Sequence, residues 1–113
     1  MLRPTNALAM SARLFRALGD EPRLAVLQEL EPGEQRVSDL ADRLGIAQSS
    51  VSTHLATLHS AGAVVRRADG RSVYYAFSHP SVGAMLREAQ DVIVASVQDA
   101  ISCTQPCCVD AVP

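Results

Sequence analysis

At 113 residues, 48% of them apolar but only 4% aromatic and none tryptophan, the chain is long enough for one small domain whose core is built from leucine, valine, alanine and isoleucine. No apolar run approaches the roughly 20 residues that cross a bilayer, and "MLRPTNALAM" is too weakly apolar for a secretory signal, so membrane and export roles are set aside. The formal net charge of −2 argues against a uniformly basic nucleic-acid binder, although a local basic patch matters more than the total.

In chain order, Leu8, Ala12, Phe15 and Leu18 recur at helical spacing and predict a first helix from about Thr5, stopped by Gly19. Asp20 is suited to cap a second helix that tolerates Pro22 in its first turn and carries Leu24, Leu27 and Leu30 on one apolar face. "EPGEQ" then predicts a turn around Pro32 and Gly33. Val37, Leu40, Ala41 and Leu44 outline a short amphipathic helix ended by Gly45, and Val51, Leu55 and Leu58 outline another ended by Gly62. Two short helices joined by a glycine-containing turn make the helix-turn-helix pattern. The second presents Gln48, Ser49, Ser50, Ser52 and Thr53, with His54 beside them. Such short hydroxyl and amide side chains let a helix sit deep in a major groove and hydrogen-bond bases and phosphates.

"AVVRRADGRSVYYAF" reads as a hairpin, with Val64 and Val65 on one strand, Val73, Tyr75 and Phe77 alternating on the other, and Asp69-Gly70 as the turn pair. Arg66, Arg67 and Arg71 make its tip basic, the character of a wing that contacts phosphates or a minor groove. From Ser81 a long stripe returns: Val82, Met85, Leu86, Ala89, Val92, Ile93, Val97 and Ile101. A unit this small cannot cover all of it, so a second copy is expected to. The expected fold is therefore mainly α with a β-hairpin wing, a winged helix-turn-helix. It is a single domain over 1–113, with a last helix for dimerisation and a cysteine-bearing tail over about 102–113.

"LFRALGDEPRLAVLQEL" followed by "VSDLADRLGIAQSSVSTHLATLHSAGAVVRRADGRSVYYAF" resembles the ArsR/SmtB family of winged-helix repressors, from about Ala12 to Phe77 and on into the last helix. "QSSVSTHLATLHSAG" and "GRSVYYAF" are the most specific segments. The resemblance implies a cytoplasmic homodimer, joined through its N- and C-terminal helices, that binds double-stranded operator DNA. It also implies release by an inducer, usually a metal or metalloid ion. No convergent nucleophile, base and oxyanion donor is found, and the scattered histidines lack carboxylate partners near them in sequence, so neither an enzyme nor an organic cofactor is expected. Relatives with two cysteines before the reading helix show a pattern like "ELCVCDL"; here "EQRVSDL" puts Arg36 and Ser38 at those positions. Relatives that bind zinc across the last helices use paired Asp and His residues there, where this chain offers only His79, Glu88 and Asp91. Cadmium and lead sensors pair cysteines near the end of the reading helix with one in the tail; "ATLHSAG" has none, although "TQPCC" is similar to such a tail.

All three cysteines, Cys103, Cys107 and Cys108, fall in that tail, an odd, clustered set that makes no disulfide framework and suits a reducing compartment. Thiolates select soft ions. Four residues reach at most roughly 14 Å, so three sulfurs of one chain are able to converge, and a tail crossing the dimer could equally mix cysteines from both subunits. Three thiolates without a histidine suit a three-coordinate centre. Arsenite or antimonite is the expected inducer, with cadmium, lead, mercury or copper(I) as alternatives. A thiol-redox switch on the same fold is the competing reading, with Cys103 better placed than the vicinal pair to close a disulfide. His59 and His79 read as surface or hairpin-flanking residues.

Overall fold

Glycine and aspartate set the helix boundaries in a computed structural model that describes residues 4–102, with side chains over 6–98. The first helix, α1 (Pro4–Leu18), ends where the Gly19 amide turns back to the Arg16 carbonyl at 3.2 Å. Asp20 then caps α2 (Glu21–Gln28) from an extended backbone, its carboxylate accepting the Arg23 amide at 3.1 Å, while Pro22 occupies a first-turn position that needs no N–H donor. Arg23 reaches back, Nε donating to the Ala17 carbonyl at 2.6 Å, and so places a cation at the negative end of α1. Val26 and Leu27 are buried in α2, and Leu30 is buried in the turn after it. Leu24, expected on the same face, is only half-buried; Val26 takes the inward position.

After Gly33, a two-residue strand β1 (Gln35–Arg36) leads directly into α3 (Val37–Leu44), and a tight connection then leads to α4 (Gln48–Ser60). Gly45, at φ 67°, closes α3 in the left-handed conformation, and its amide and that of Ile46 both donate to the Ala41 carbonyl. A side chain with a Cβ would be strained there, which is why glycine marks the stop. Val37, Leu40 and Ala41 face inward from α3, and Val51, Leu55 and Leu58 of α4 are all 0% exposed. Those three lie on one stripe of α4, against α2 and α3.

Strands β2 (Val64–Asp69) and β3 (Ser72–Phe77) form the expected hairpin, but the turn is displaced by one residue. Asp69 pairs with Ser72, so Gly70 and Arg71, not Asp69 and Gly70, make the two-residue connection. Gly70 takes φ 61° and no other residue of the turn is positive, the requirement of a type II′ turn with glycine first. The sheet also has a third member. β1 lies on the far side of β3, in the order β1-β3-β2, with Gln35 opposite Tyr75 and Arg36 opposite Tyr74.

The last helix, α5 (Pro80–Ser102), opens beside His79, whose Nδ1 accepts the Ser81 amide at 3.0 Å. The backbone groups into two units, Met1–Val82 and Gly83–Pro113. The core of leucines and valines from α2, α3 and α4 belongs to the first. In the second, Val92, Ile93, Val94 and Val97 of α5 are each more than half exposed. Leu8 and Phe15 of α1 are also open to solvent, at 73% and 60%. No helix among the described residues is long and apolar enough to cross a membrane.

Candidate nucleic-acid interface

Because Val51, Leu55 and Leu58 fix one stripe of α4 in the core, helical geometry turns Gln48, Ser49, Ser52 and Thr53 outward. All four are exposed, as is Ser50, while His54 is half-buried at the flank. The Thr53 hydroxyl donates to the Ser49 carbonyl at 2.9 Å, and that of Thr57 to the Thr53 carbonyl at 3.2 Å, so both point along the helix rather than away from it.

Eight of the nine residues expected to read DNA, all but Arg67, fall into two hollows. Gln48 and Ser52 line a cleft of about 310 Å³ together with Arg66 and Arg71 of the wing. Ser49, Ser50, Thr53 and His54 frame a hollow of about 230 Å³ on the neighbouring face of α4. The first cleft adds residues that pattern alone did not single out for DNA: Arg36, Ser38 and Ser72. Arg36 arrives through β1, which holds it beside the wing, and Asp39 accepts its guanidinium at 3.2 Å and raises its affinity for the proton. No carboxylate is among the residues lining this cleft, so three guanidinium groups converge there with hydroxyls and an amide.

Arg67 stands apart. Strand alternation sends Arg66 and Arg67 to opposite faces of the hairpin. Arg66 shares the cleft with Tyr75, whereas Arg67 grips Glu34 with two donors, at 3.0 and 2.7 Å. Arg67 also lies 4.6 Å from the centre of the Tyr74 ring and 3.6 Å from Asp69. Of the three wing arginines, Arg67 is therefore the one engaged in holding the hairpin to the segment before β1. Period-two alternation along "VVRRAD" carries this distinction in the sequence.

The hydrogen bonds from Arg67 hold the Glu34 carboxyl below its ordinary value of 4.5. A depressed carboxylate contributes to stability above its unfolded pKa and loses that contribution as pH falls through the folded one. The grip on the wing is expected to be complete at neutral pH and to open only under acid, below the usual glutamate range. An NMR pH titration following Arg67 Nε–H and the Tyr74 ring checks this. In Glu34→Gln the same signals should start in the open position and show no acid transition.

Among the described residues no group of three or more His, Cys, Asp or Glu is gathered to hold a metal. Cys103, Cys107 and Cys108 lie outside the described residues.

Comparison with known proteins matches residues 20–65 to the model of bacterial regulatory proteins of the arsR family, a span that holds α2, α3, α4 and the start of β2. A probable mercury resistance operon repressor of Streptomyces lividans is 38% identical over 80 residues, 71% of this chain; the match spans 64% of that protein's length. The HTH-type transcriptional regulator CmtR of Mycobacterium tuberculosis is 38% identical over 96 residues, 85% of this chain and 77% of that one. Among solved structures, the homodimeric winged helix-turn-helix DNA-binding domain Mb0332 of Mycobacterium bovis superposes with a TM-score of 0.75 at 30% identity, covering 82% of this chain and 86% of that one.

Proposed function

This chain belongs to the ArsR family of bacterial regulatory proteins, and from that premise we propose that it is a homodimeric transcriptional repressor released from operator DNA by a soft, thiophilic ion. The observation that carries the DNA-binding half is the cleft in which Arg36, Arg66 and Arg71 meet Gln48 and Ser52. The α4 hydroxyls and amide read base edges, and the arginines clamp phosphates on either side. The exposed apolar faces of α1 and α5 supply what a second copy covers, and a two-fold dimer sets its two reading helices about one helical turn apart on DNA. Such a regulator works where the chromosome is, in the cytoplasm, and is not an enzyme.

The inducing half rests on donor chemistry. Every cysteine of the chain falls between positions 103 and 108, and Arg36 and Ser38 stand where other members of the resembling family place a cysteine pair. A set of three thiolates fits a three-coordinate soft ion, arsenite or antimonite first. Cys103, Cys107 and Cys108 give up their thiol protons on binding, so affinity rises with pH. To drive release, the three thiolates must hold the ion more tightly in the free dimer than in the DNA-bound one, by a coupling of about 1–3 kcal/mol or more. Mercury is the second reading, favoured by the likeness to the Streptomyces repressor.

The deciding experiment is a mobility-shift assay on a duplex selected by the protein from a random pool. Arsenite, antimonite, cadmium, lead, mercury and copper(I) compete in turn, against the reduced protein and against Cys103→Ser/Cys107→Ser/Cys108→Ser. Arsenite is expected to release the wild-type complex and to leave the triple variant bound. Release of the variant at the same arsenite concentration refutes the thiol site. Release by oxidant alone, with free thiols lost in step, establishes the redox switch instead.

A further inference from the structure

A second basic cleft, of about 540 Å³, lies between α1 and α4 and is separate from the one between α4 and the wing. Arg13 and Arg16 of α1 and Arg23 of α2 line one side; Thr53, Thr57 and Ser60 of α4 line the other. No carboxylate lines it. Arg13 already crosses the gap, donating through its terminal nitrogen to the Ser60 hydroxyl. Arg23 is held by the Ala17 carbonyl, and the Arg16 guanidinium makes no hydrogen bond or ion pair among the described residues. Arg23 has the Asp20 carboxylate 4.0 Å away, but Arg13 and Arg16 have no ion-pair partner among the described residues, and an anion beside them offsets their mutual repulsion.

The position of the cleft says which anion. Thr53 lines it and also frames the hollow of Ser49, Ser50 and His54, so the two hollows share a wall on α4. From Thr53 to Ser60 the helix advances about 10 Å. The Thr53 and Thr57 hydroxyl hydrogens are given to backbone carbonyls, which leaves the arginines and the Ser60 hydroxyl as the donors facing the cleft. Planar forked donors match a phosphate bidentately.

We propose that the cleft between α1 and α4 seats a DNA backbone phosphate on the flank of the operator, with Arg13 and Arg16 as its principal donors. This rests on the DNA-binding reading above and extends the footprint from α4 and the wing to the first helix. The seat adds affinity and register but no base preference.

Two variants, Arg13→Gln/Arg16→Gln and the charge-keeping Arg13→Lys/Arg16→Lys, test it on the intact dimer. Fluorescence anisotropy on the selected duplex, over an about tenfold range of KCl, gives the slope of log Kd against log salt. With one phosphate lost per subunit, the glutamine variant should lower that slope by about 1.8, with base-substitution preferences unchanged and the lysine variant close to wild type. An unchanged slope in a glutamine variant that still binds and melts like wild type overturns the phosphate seat and leaves the regulator intact. If the wild-type protein selects no duplex at all, the regulator reading itself has failed. Inorganic phosphate titrated into the DNA-free protein separates the sources. Saturable shifts of the Thr57 and Ser60 amides that vanish in the glutamine variant, alongside an unchanged slope, make this a small-anion site and refute the proposal.

Discussion

Ser52→Glu is expected to weaken operator binding by more than about a hundredfold, close to 3 kcal/mol at 1.4 kcal/mol per factor of ten. Ser52 is exposed and lines the cleft that holds Arg36, Arg66 and Arg71. A carboxylate there acts twice. It meets the negative field of the DNA in the groove, and it offers the arginines an internal partner in place of a phosphate. Neither effect disturbs the core, since the side chain points away from Val51 and Leu55, so circular dichroism and the melting profile should match wild type. Ser52→Ala is the mild control; losing one hydrogen bond costs about 0.5–1.5 kcal/mol. Anisotropy at fixed salt reads both. Ser52→Glu binding within about threefold of wild type would mean that α4 is not the reading element.

Leu55→Ala is expected to cost about 2–5 kcal/mol of stability, from lost burial and from the cavity left behind. Leu55 is 0% exposed, with Val51 one turn before it and Leu58 one turn after it equally buried, so no neighbour is free to collapse into the gap without leaving its own place. Against the 5–15 kcal/mol that domains of this kind retain, the loss is large enough to make operator binding temperature-sensitive. Urea unfolding at one fixed protein concentration should show the midpoint falling by about 2 M, because a dimer's apparent stability varies with concentration. Val65→Ala, at a half-exposed position on β2, should stay within about 0.5 kcal/mol of wild type. A small loss for Leu55→Ala would mean that α4 is not anchored through this stripe.

The helices were legible because their stops are chemical. Gly19, Asp20, Gly45 and Gly62 end or cap elements for reasons that local conformation alone decides, and the stripe of Val51, Leu55 and Leu58 has the period of a helix. β1 was not legible. A two-residue strand has no period, and Gln35 and Arg36 are extended only because β3 is there to pair with them. The same long-range pairing decides the hairpin turn: Asp69-Gly70 and Gly70-Arg71 are both acceptable locally, and cross-strand register selects the second. The exposed polar face of α4 followed from the core stripe opposite it. The division of the wing arginines was available from alternation, but the partner that occupies Arg67 was not, because Glu34 lies 33 residues away in the chain. The basic groove beside α1 needed three helices to come together, and nothing in the spacing of Arg13, Arg16 and Arg23 announces it.

The small third strand has a consequence for the choice of DNA. By zipping the entry of α3 to the wing, β1 makes the helix-turn-helix and the hairpin one stiff gauge whose span is fixed by covalent geometry and sheet pairing. On the proposed DNA-binding reading, a site with a base pair inserted between the stretch probed by α4 and the stretch probed by the wing is expected to be out of phase with it. Tolerance for variable spacing must then reside between the two halves of the palindrome, and not within either half.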